Sequence, residues 1–228
     1  MSDDSLWDEE RANRYLRLYK DPRAKEGSQS TLCKNAAGLI KGHSVLDFGC
    51  GMGHIMPYLE FPDEYVGLDY SKTMLDYLEN FFPGSVTIHA DAAQPTIKLI
   101  KTLESQHLPI RYHTTISTSL VIHLPTIKMV ENLLRNMWEL SEKRMVVGVE
   151  TVGDKKSTRS DGLTLRNISI ENVEKILKDL GIPESSIKYT HQKITYHQYY
   201  SVLPLELTPF RMDPPQLYTR TTFFIIDK

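Results

Sequence analysis

The sequence predicts a doubly wound α/β domain, a mostly parallel sheet with helices on both faces, and three observations lead there. Val45, Leu46 and Phe48 frame Asp47 in an apolar run that enters a turn carrying Gly49, Gly51 and Gly53, as a buried strand enters a ligand-cradling loop. Apolar, strand-like runs then alternate with stretches of helical periodicity along most of the chain. Three of the runs end at or beside an aspartate (Asp47, Asp69 and Asp91), which lines carboxylates along one end of the expected sheet.

Taken in order, Leu6, Trp7, Tyr15, Leu16 and Tyr19 share one face of an N-terminal helix, and a second helix is expected over 30–40. The first strand and glycine turn should lead into a helix over 55–59, with Pro57 tolerated in its first turn. The run 65–69 is a second parallel strand. Ser71 is placed to cap a helix with Met74, Leu75 and Leu78 on one face. A third strand spans 86–91, and Pro95 opens a helix with Ile97, Ile100 and Leu103 inward. The fourth strand, 114–119, is β-branched but polar. A helix over 126–140 follows, its apolar face made of Ile127, Val130, Leu134, Met137 and Trp138, and then a fifth strand over 145–149. Ser169 caps a helix carrying Ile170, Val173, Ile176, Leu177 and Leu180, which Gly181 and Pro183 end. Two further strand-like runs, 187–200 and 217–226, flank an irregular loop marked by Pro204, Pro209, Pro214 and Pro215. With no repeat, low-complexity tract or linker, 1–228 reads as one domain.

Composition narrows the class. A chain of 228 residues holds one α/β domain with a full core. Hydrophobic residues at 40% and charged residues at 25% suit a globular protein and fit neither a disordered nor a membrane-embedded one. No apolar run reaches the length of a membrane span, and the acidic start Met1-Ser2-Asp3-Asp4 is unlike a signal peptide, so a cytoplasmic or other intracellular location is expected. Cys33 and Cys50 are the two cysteines and should be reduced thiols, and no histidine spacing suggests a metal site. A net charge of -2 argues against a nucleic-acid partner. Lys155, Lys156 and Arg159 are interrupted by Asp154 and Asp161 and read as a solvated loop.

The glycine spacing speaks to the ligand. The dinucleotide fingerprint would place glycine at 54, where this chain has His54, which weakens a nicotinamide reading. What stands is acidic-x-Gly-x-Gly-x-Gly, and a carboxylate there repels phosphate while attracting an amino-bearing ligand. Asp69 lies 20 residues after Gly49, a distance at which an acid takes both ribose hydroxyls. Each aspartate taken alone is equally well read as satisfying backbone donors in a turn; three with this spacing favour a ligand.

From 39 to 150 the chain resembles the class I S-adenosylmethionine-dependent methyltransferases, whose first motif is this glycine pattern. The resemblance implies seven strands with an antiparallel C-terminal hairpin, and S-adenosylmethionine as cofactor. It carries Asp47, Phe48, Gly49, Cys50, Gly51, Asp69, Tyr70, Met74, Asp91, Ala92 and Ser117 into the cofactor set, with Asp91 or its neighbour at the adenine amino group. It divides the chain into an N-terminal helical lid (1–41), a cofactor-binding core (42–150) and an acceptor-side half (151–228). The segment Ser119-Leu120-Val121-Ile122-His123-Leu124-Pro125 is similar to the one after the fourth strand in small-molecule members, which makes His123 the first candidate for a general base; a purely structural role for its imidazole is weighed equally. Tyr15 and Tyr19 are second candidates, on the expected lid. His54 is expected to face solvent or cap the helix, and Met74 to pack in the core or on the cofactor. Tyr196, Tyr199, Tyr200 and Arg211 could border an acceptor pocket.

Asp213-Pro214-Pro215-Gln216 is similar to a motif with which some superfamily members hold an amino group, but it lacks the aromatic residue and follows the fifth strand; Ser117-Thr118-Ser119 occupies the usual place. Other departures are His113 before the fourth strand and Leu140-Ser141-Glu142-Lys143-Arg144 before the fifth. The function expected is in-line methyl transfer to an oxygen or nitrogen of a small-molecule acceptor. An RNA or protein methyltransferase and a noncatalytic cofactor-binding module are the rival readings, with a nicotinamide oxidoreductase more distant.

Overall fold

In the computed structural model, which describes residues 28–61, 64–152, 168–195 and 218–228, the apolar run at 45–48 forms β1 (Val45–Phe48), buried at every position. It lies between two parallel neighbours, β2 (Tyr65–Asp69) and β4 (Tyr112–Ser117), so that Asp47 sits opposite Gly67 on one side and Ile116 on the other. β3 (Val86–His89) continues the sheet beyond β2, and β5 (Ser141–Val152) beyond β4, both parallel. The last strands, β6 (Ile187–Thr195) and β7 (Tyr218–Asp227), are antiparallel to each other, and β7 inserts between β5 and β6. The order β3-β2-β1-β4-β5-β7-β6 is the expected seven-stranded, mostly parallel sheet with an antiparallel end.

Side-chain alternation assigns the two faces. Leu46, Phe48, Val66, Leu68, Met145, Val147 and Phe224 pack under α3 (Thr96–Ser105), α4 (Ile127–Leu140) and α5 (Ile170–Asp179). Val45, Tyr65, Ile116, Val146 and Phe223 pack with α1 (Ser28–Ala37) and α2 (Lys72–Phe81). The two caps read from sequence form as expected: the Ser71 and Ser169 hydroxyls accept from the amides of Met74 (3.3 Å) and Asn172 (3.2 Å); the structure adds a third, Thr126, which accepts from the Met129 amide at 3.2 Å.

The polar fourth strand can bury Thr114 and Thr115 because their hydroxyls are satisfied. Thr114 Oγ1 donates to the Lys41 carbonyl (2.8 Å) and accepts from the Lys41 amide (2.9 Å), while Thr115 Oγ1 donates to the Met137 carbonyl at 2.8 Å. At the sheet's far end Arg144 grips Asp227 with two donors, Nε at 2.8 Å and Nη2 at 3.2 Å, and donates Nη1 to the Leu39 carbonyl at 2.9 Å. These guanidinium bonds hold the Asp227 carboxyl below the usual range.

Several expectations need correction. No α-helix follows the glycine turn: one 3-10 turn, Met56–Tyr58, forms around Pro57 and Leu59 leaves it extended. Pro57 lacks an amide hydrogen, and Pro62, next after Phe61, disfavours helical backbone at the residue before it. β3 ends at His89, so Asp91 lies two residues past it, and β4 ends at Ser117, leaving Ser119 in the turn beyond. In α3 the inward residues are Leu99 and Leu103, and Ile97 is 59% exposed. Ile127 of α4 is also exposed, and Leu133 takes its place inside. The expected N-terminal helix with Tyr15 and Tyr19, the basic loop at 154–161, and the proline loop with Tyr196, Tyr199, Tyr200 and Arg211 lie outside the described residues. Among the described residues no helix is long and apolar enough to cross a membrane, and no group of His, Cys, Asp and Glu is placed to hold a metal ion.

Gly148 in β5 shows how closely the sheet packs against the turn after β4. A Cβ added there would lie 2.4 Å from the Thr118 carbonyl oxygen. Gly148→Ala is expected to cost about 1–3 kcal/mol of stability, read as a lower midpoint in denaturant unfolding. An unchanged midpoint would mean that the turn yields freely.

Candidate cofactor and active site

The sheet order reverses between β1 and β4, and in open α/β sheets the crevice outside the carboxyl ends of the strands at such a point receives the ligand. The glycine turn stands there. The amides of Gly49 and Cys50 both donate to the Leu68 carbonyl (2.7 and 3.1 Å), tying the turn to β2. Gly49, Gly51 and Gly53 have φ of +73°, +53° and +78°, which side-chain-bearing residues adopt only under strain. Their surroundings differ. A Cβ on Gly49 would crowd Leu120 and one on Gly53 would crowd Leu78, but on Gly51 it would meet nothing within 4 Å among the described residues. The turn is therefore packed at both ends and open over its middle glycine.

Asp69 closes β2 and clasps this turn. Its Oδ2 accepts from the Gly51 amide at 2.9 Å and its Oδ1 from the Ser71 amide at 2.8 Å. Burial raises its pKa, against the lowering effect of those two amides. Each carboxylate oxygen keeps a second lone pair, so two bonds to a ligand remain open. The Tyr70 carbonyl accepts from His89 Nε2 at 2.8 Å, which holds the start of this segment against β3.

Asp47, the penultimate residue of β1, is buried beneath the turn. Tyr65 Oη donates to its Oδ2 at 2.9 Å, while Oδ1, equally buried, has no partner among the described residues. Burial pushes its pKa up to about 7, opposed by the Tyr65 hydrogen bond and reinforced by the charge of Asp69. The neighbouring Cys50 thiol is pushed well up, first by burial and then by the two carboxylates, so it stays protonated; Cys33 is likewise a buried free thiol.

The loop after β3 is fixed from α4, a feature sequence reasoning missed. Asp91 Oδ1 accepts from the Ala93 amide at 2.8 Å. Buried Asn136 donates Nδ2 to the carbonyls of Ala92 (2.9 Å) and Gln94 (2.8 Å) and accepts at Oδ1 from the Thr96 hydroxyl (2.5 Å). Asn132, one helical turn earlier, donates to the Ala93 carbonyl at 3.1 Å. The signal was present: two asparagines four apart on a helix face that is otherwise apolar.

The remaining candidates fall into place around these. Ser117 ends β4 fully buried, and its Oγ has no partner among the described residues. Phe48 and Ala92 belong to the core under the helices, and Met74 packs with Met52. His123 is half-buried at the end of the 3-10 turn Val121–His123. Leu120, at the start of that turn, is the residue against which Gly49 packs, so the His123 segment stands beside the glycine turn. His54 corrects the expectation of a solvent-facing residue: it is buried, and burial pulls its imidazole pKa down to about 4, leaving it neutral at pH 7.

Residues 46–101, which span the glycine turn, Asp69 and Asp91, match the family model of a methyltransferase domain. Over that stretch the chain is a methyltransferase domain. No curated protein matches the methyltransferase by sequence. Its fold is shared with magnesium protoporphyrin IX methyltransferase from Synechocystis, solved with bound S-adenosylmethionine, at 16% identity and a TM-score of 0.57, covering 94% of this chain and 90% of that one. A possible histamine N-methyltransferase from Thermotoga maritima aligns at 14% identity and a TM-score of 0.60, covering 95% of each chain. DesVI from Streptomyces venezuelae aligns at 14% identity and a TM-score of 0.57, covering 94% and 97%. At these identities the likeness is one of fold.

Proposed function

We propose that this methyltransferase moves the methyl group to an oxygen or nitrogen of a small-molecule acceptor, working as one cytoplasmic domain over 1–228. The observation that carries the reading is the pair formed by the orphaned, buried Asp47 Oδ1 and the open space over Gly51. A buried carboxylate oxygen without a donor suits the ammonium of the cofactor's methionine end, and a turn that any Cβ would fill suits close approach by that chain. The residues present fit S-adenosylmethionine on both counts.

In this reading Asp69 accepts from both ribose hydroxyls with its remaining lone pairs, and the Asp91–Ala92 loop, braced by Asn136, meets the adenine. The backbone of Phe48, Gly49, Cys50 and Gly51 lies along the methionine end, while Tyr70, Met74 and Ser117 border the site. When bound, S-adenosylmethionine supplies a methyl already activated on a sulfonium. The protein's part is then to align an acceptor, a contribution of roughly 7–11 kcal/mol in well-oriented reactions. His123, beside the glycine turn, takes the acceptor's proton as the methyl arrives. Tyr15 and Tyr19 are the second candidates for that proton, 1–41 being assigned as the lid and 151–228 as the acceptor side.

A small acceptor is favoured by the net charge of -2 and by two fold relatives, a magnesium protoporphyrin IX methyltransferase and a possible histamine N-methyltransferase. Calorimetric titration with S-adenosylhomocysteine and NAD tests the cofactor assignment: tight NAD binding without S-adenosylhomocysteine binding would overturn it. Turnover across panels of small alcohols, amines, RNA and peptides tests the acceptor, and activity confined to a macromolecule, or binding with no turnover on any panel, would overturn the small-molecule reading. For His123, replacement by glutamine is expected to lower turnover by about 10²–10⁴ with S-adenosylhomocysteine affinity unchanged. Intact turnover would leave the imidazole a structural role.

A further inference from the structure

Beneath the glycine turn lies a contact that the cofactor reading does not use. Tyr65, at the start of β2, is 1% exposed, yet its hydroxyl is not left among the apolar side chains. Its register partner across the ladder is Val45, two residues before Asp47, so to reach Asp47 the ring must run along the sheet past the residue that faces the carboxylate. That residue is Gly67. A Cβ built there would lie 3.2 Å from both Cε1 and Oη of Tyr65 and 2.8 Å from Cys50 Sγ. The missing side chain is the channel through which the phenol reaches Asp47 Oδ2, at 2.9 Å. The other oxygen, Oδ1, is the one without a donor among the described residues.

We propose that Tyr65 is a positioning residue of the cofactor site: its buried hydroxyl, admitted by Gly67, occupies one oxygen of Asp47 and leaves the other, charged, for the ammonium of the cofactor's methionine end. The proposal rests on the assignment of Asp47 made above. The physical reason lies in the conflict at this carboxylate. Burial favours its neutral form, which offers an ammonium far less than the anion does, and the nearby charge of Asp69 works in the same direction. A phenol donating to Oδ2 is the one group here that favours the anion, and it does so without bringing a cation that would compete with the ligand. It also forbids the carboxylate to rotate, so the free lone pairs stay on Oδ1. The titratable groups facing Asp47 among the described residues are Tyr65 from β2, Cys50 from the glycine turn and Asp69 from the end of β2; the thiol and phenol are held protonated by burial, while burial raises both carboxyls, Asp47 to about 7, and the Asp47→Asn background tells their titrations apart.

The test is S-adenosylhomocysteine affinity by calorimetry from pH 5.5 to 8.5 for the wild type, Tyr65→Phe, Asp47→Asn and the double variant, with thermal unfolding of each. In Tyr65→Phe the pH at which affinity rises should move upward, with binding at pH 7 weaker by about tenfold and partly recovered at pH 8.5. In the Asp47→Asn background Tyr65→Phe should have no further effect on affinity. Site-specific 3-fluorotyrosine at position 65 keeps the ring's shape and donates more strongly, so it should move the rise to lower pH; it also decides the matter if Tyr65→Phe does not fold. An unshifted profile in both variants, or an equal loss with and without Asp47, would overturn the role of Tyr65 while leaving cofactor binding intact. Absence of binding by the wild type at every pH would overturn the cofactor assignment itself, and this proposal with it.

Discussion

Asp69→Ala is expected to weaken S-adenosylhomocysteine binding by about 10²–10⁴, since two hydrogen bonds from ribose hydroxyls to a carboxylate are each worth roughly 1.5–3 kcal/mol. The loss has a second source. The same carboxylate clasps the Gly51 and Ser71 amides, so its removal releases the glycine turn and the cap of α2 from one another. The variant should still fold, because burial raises the Asp69 pKa and its removal lifts that desolvation cost. Asp69→Asn keeps one acceptor oxygen and should lose less than the alanine variant. Calorimetry with S-adenosylhomocysteine reads both, and near-normal affinity in Asp69→Ala would show that the ribose is held elsewhere.

Asp47→Asn is expected to separate stability from binding. The Asp47 pKa stands at about 7 in the folded protein against an ordinary carboxyl value of 3.8, so between those values the folded state holds a proton that the unfolded chain has lost. Stability therefore falls as pH rises from about 4 to 7, and above 7 the cost of the buried charge is fully present, at most about 4 kcal/mol. Asparagine carries no such charge. At pH 8 the variant should unfold at a higher temperature than the wild type, with the difference vanishing toward pH 4. Its affinity for S-adenosylhomocysteine should nevertheless drop, because the ammonium then faces a neutral amide. In the wild type the same titration makes affinity fall below pH 7, by up to about tenfold per pH unit. A pH-independent affinity, or a variant no more stable at pH 8, would remove Asp47 from this role.

Capped and strongly periodic elements were legible in the sequence because their determinants are local. Ser71 and Ser169 each satisfy an amide three residues on, and the inward faces of α2, α4 and α5 follow the helical period. The helix expected after the glycine turn failed for a reason equally local but underweighted: prolines at 57 and 62 leave too few free residues for an α-helix. Ile97 failed because one turn of periodicity does not say which of two apolar stripes the sheet will cover.

By itself the sequence determined the class of fold, the place of the glycine turn and the three carboxylates at one end of the sheet, since strand period, turn chemistry and residue spacing act over a few neighbours. Tertiary structure alone decided how those carboxylates are held. Asp69 is fastened to the turn 18 residues before it, Asn136 braces a loop more than 40 residues away, and Tyr65 reaches Asp47 through the gap at Gly67. Those contacts join segments that only sheet pairing and helix packing bring together. They also set the charge on Asp47, because burial and the Tyr65 hydroxyl, neither of which is written in the spacing of residues, act on it in opposite directions.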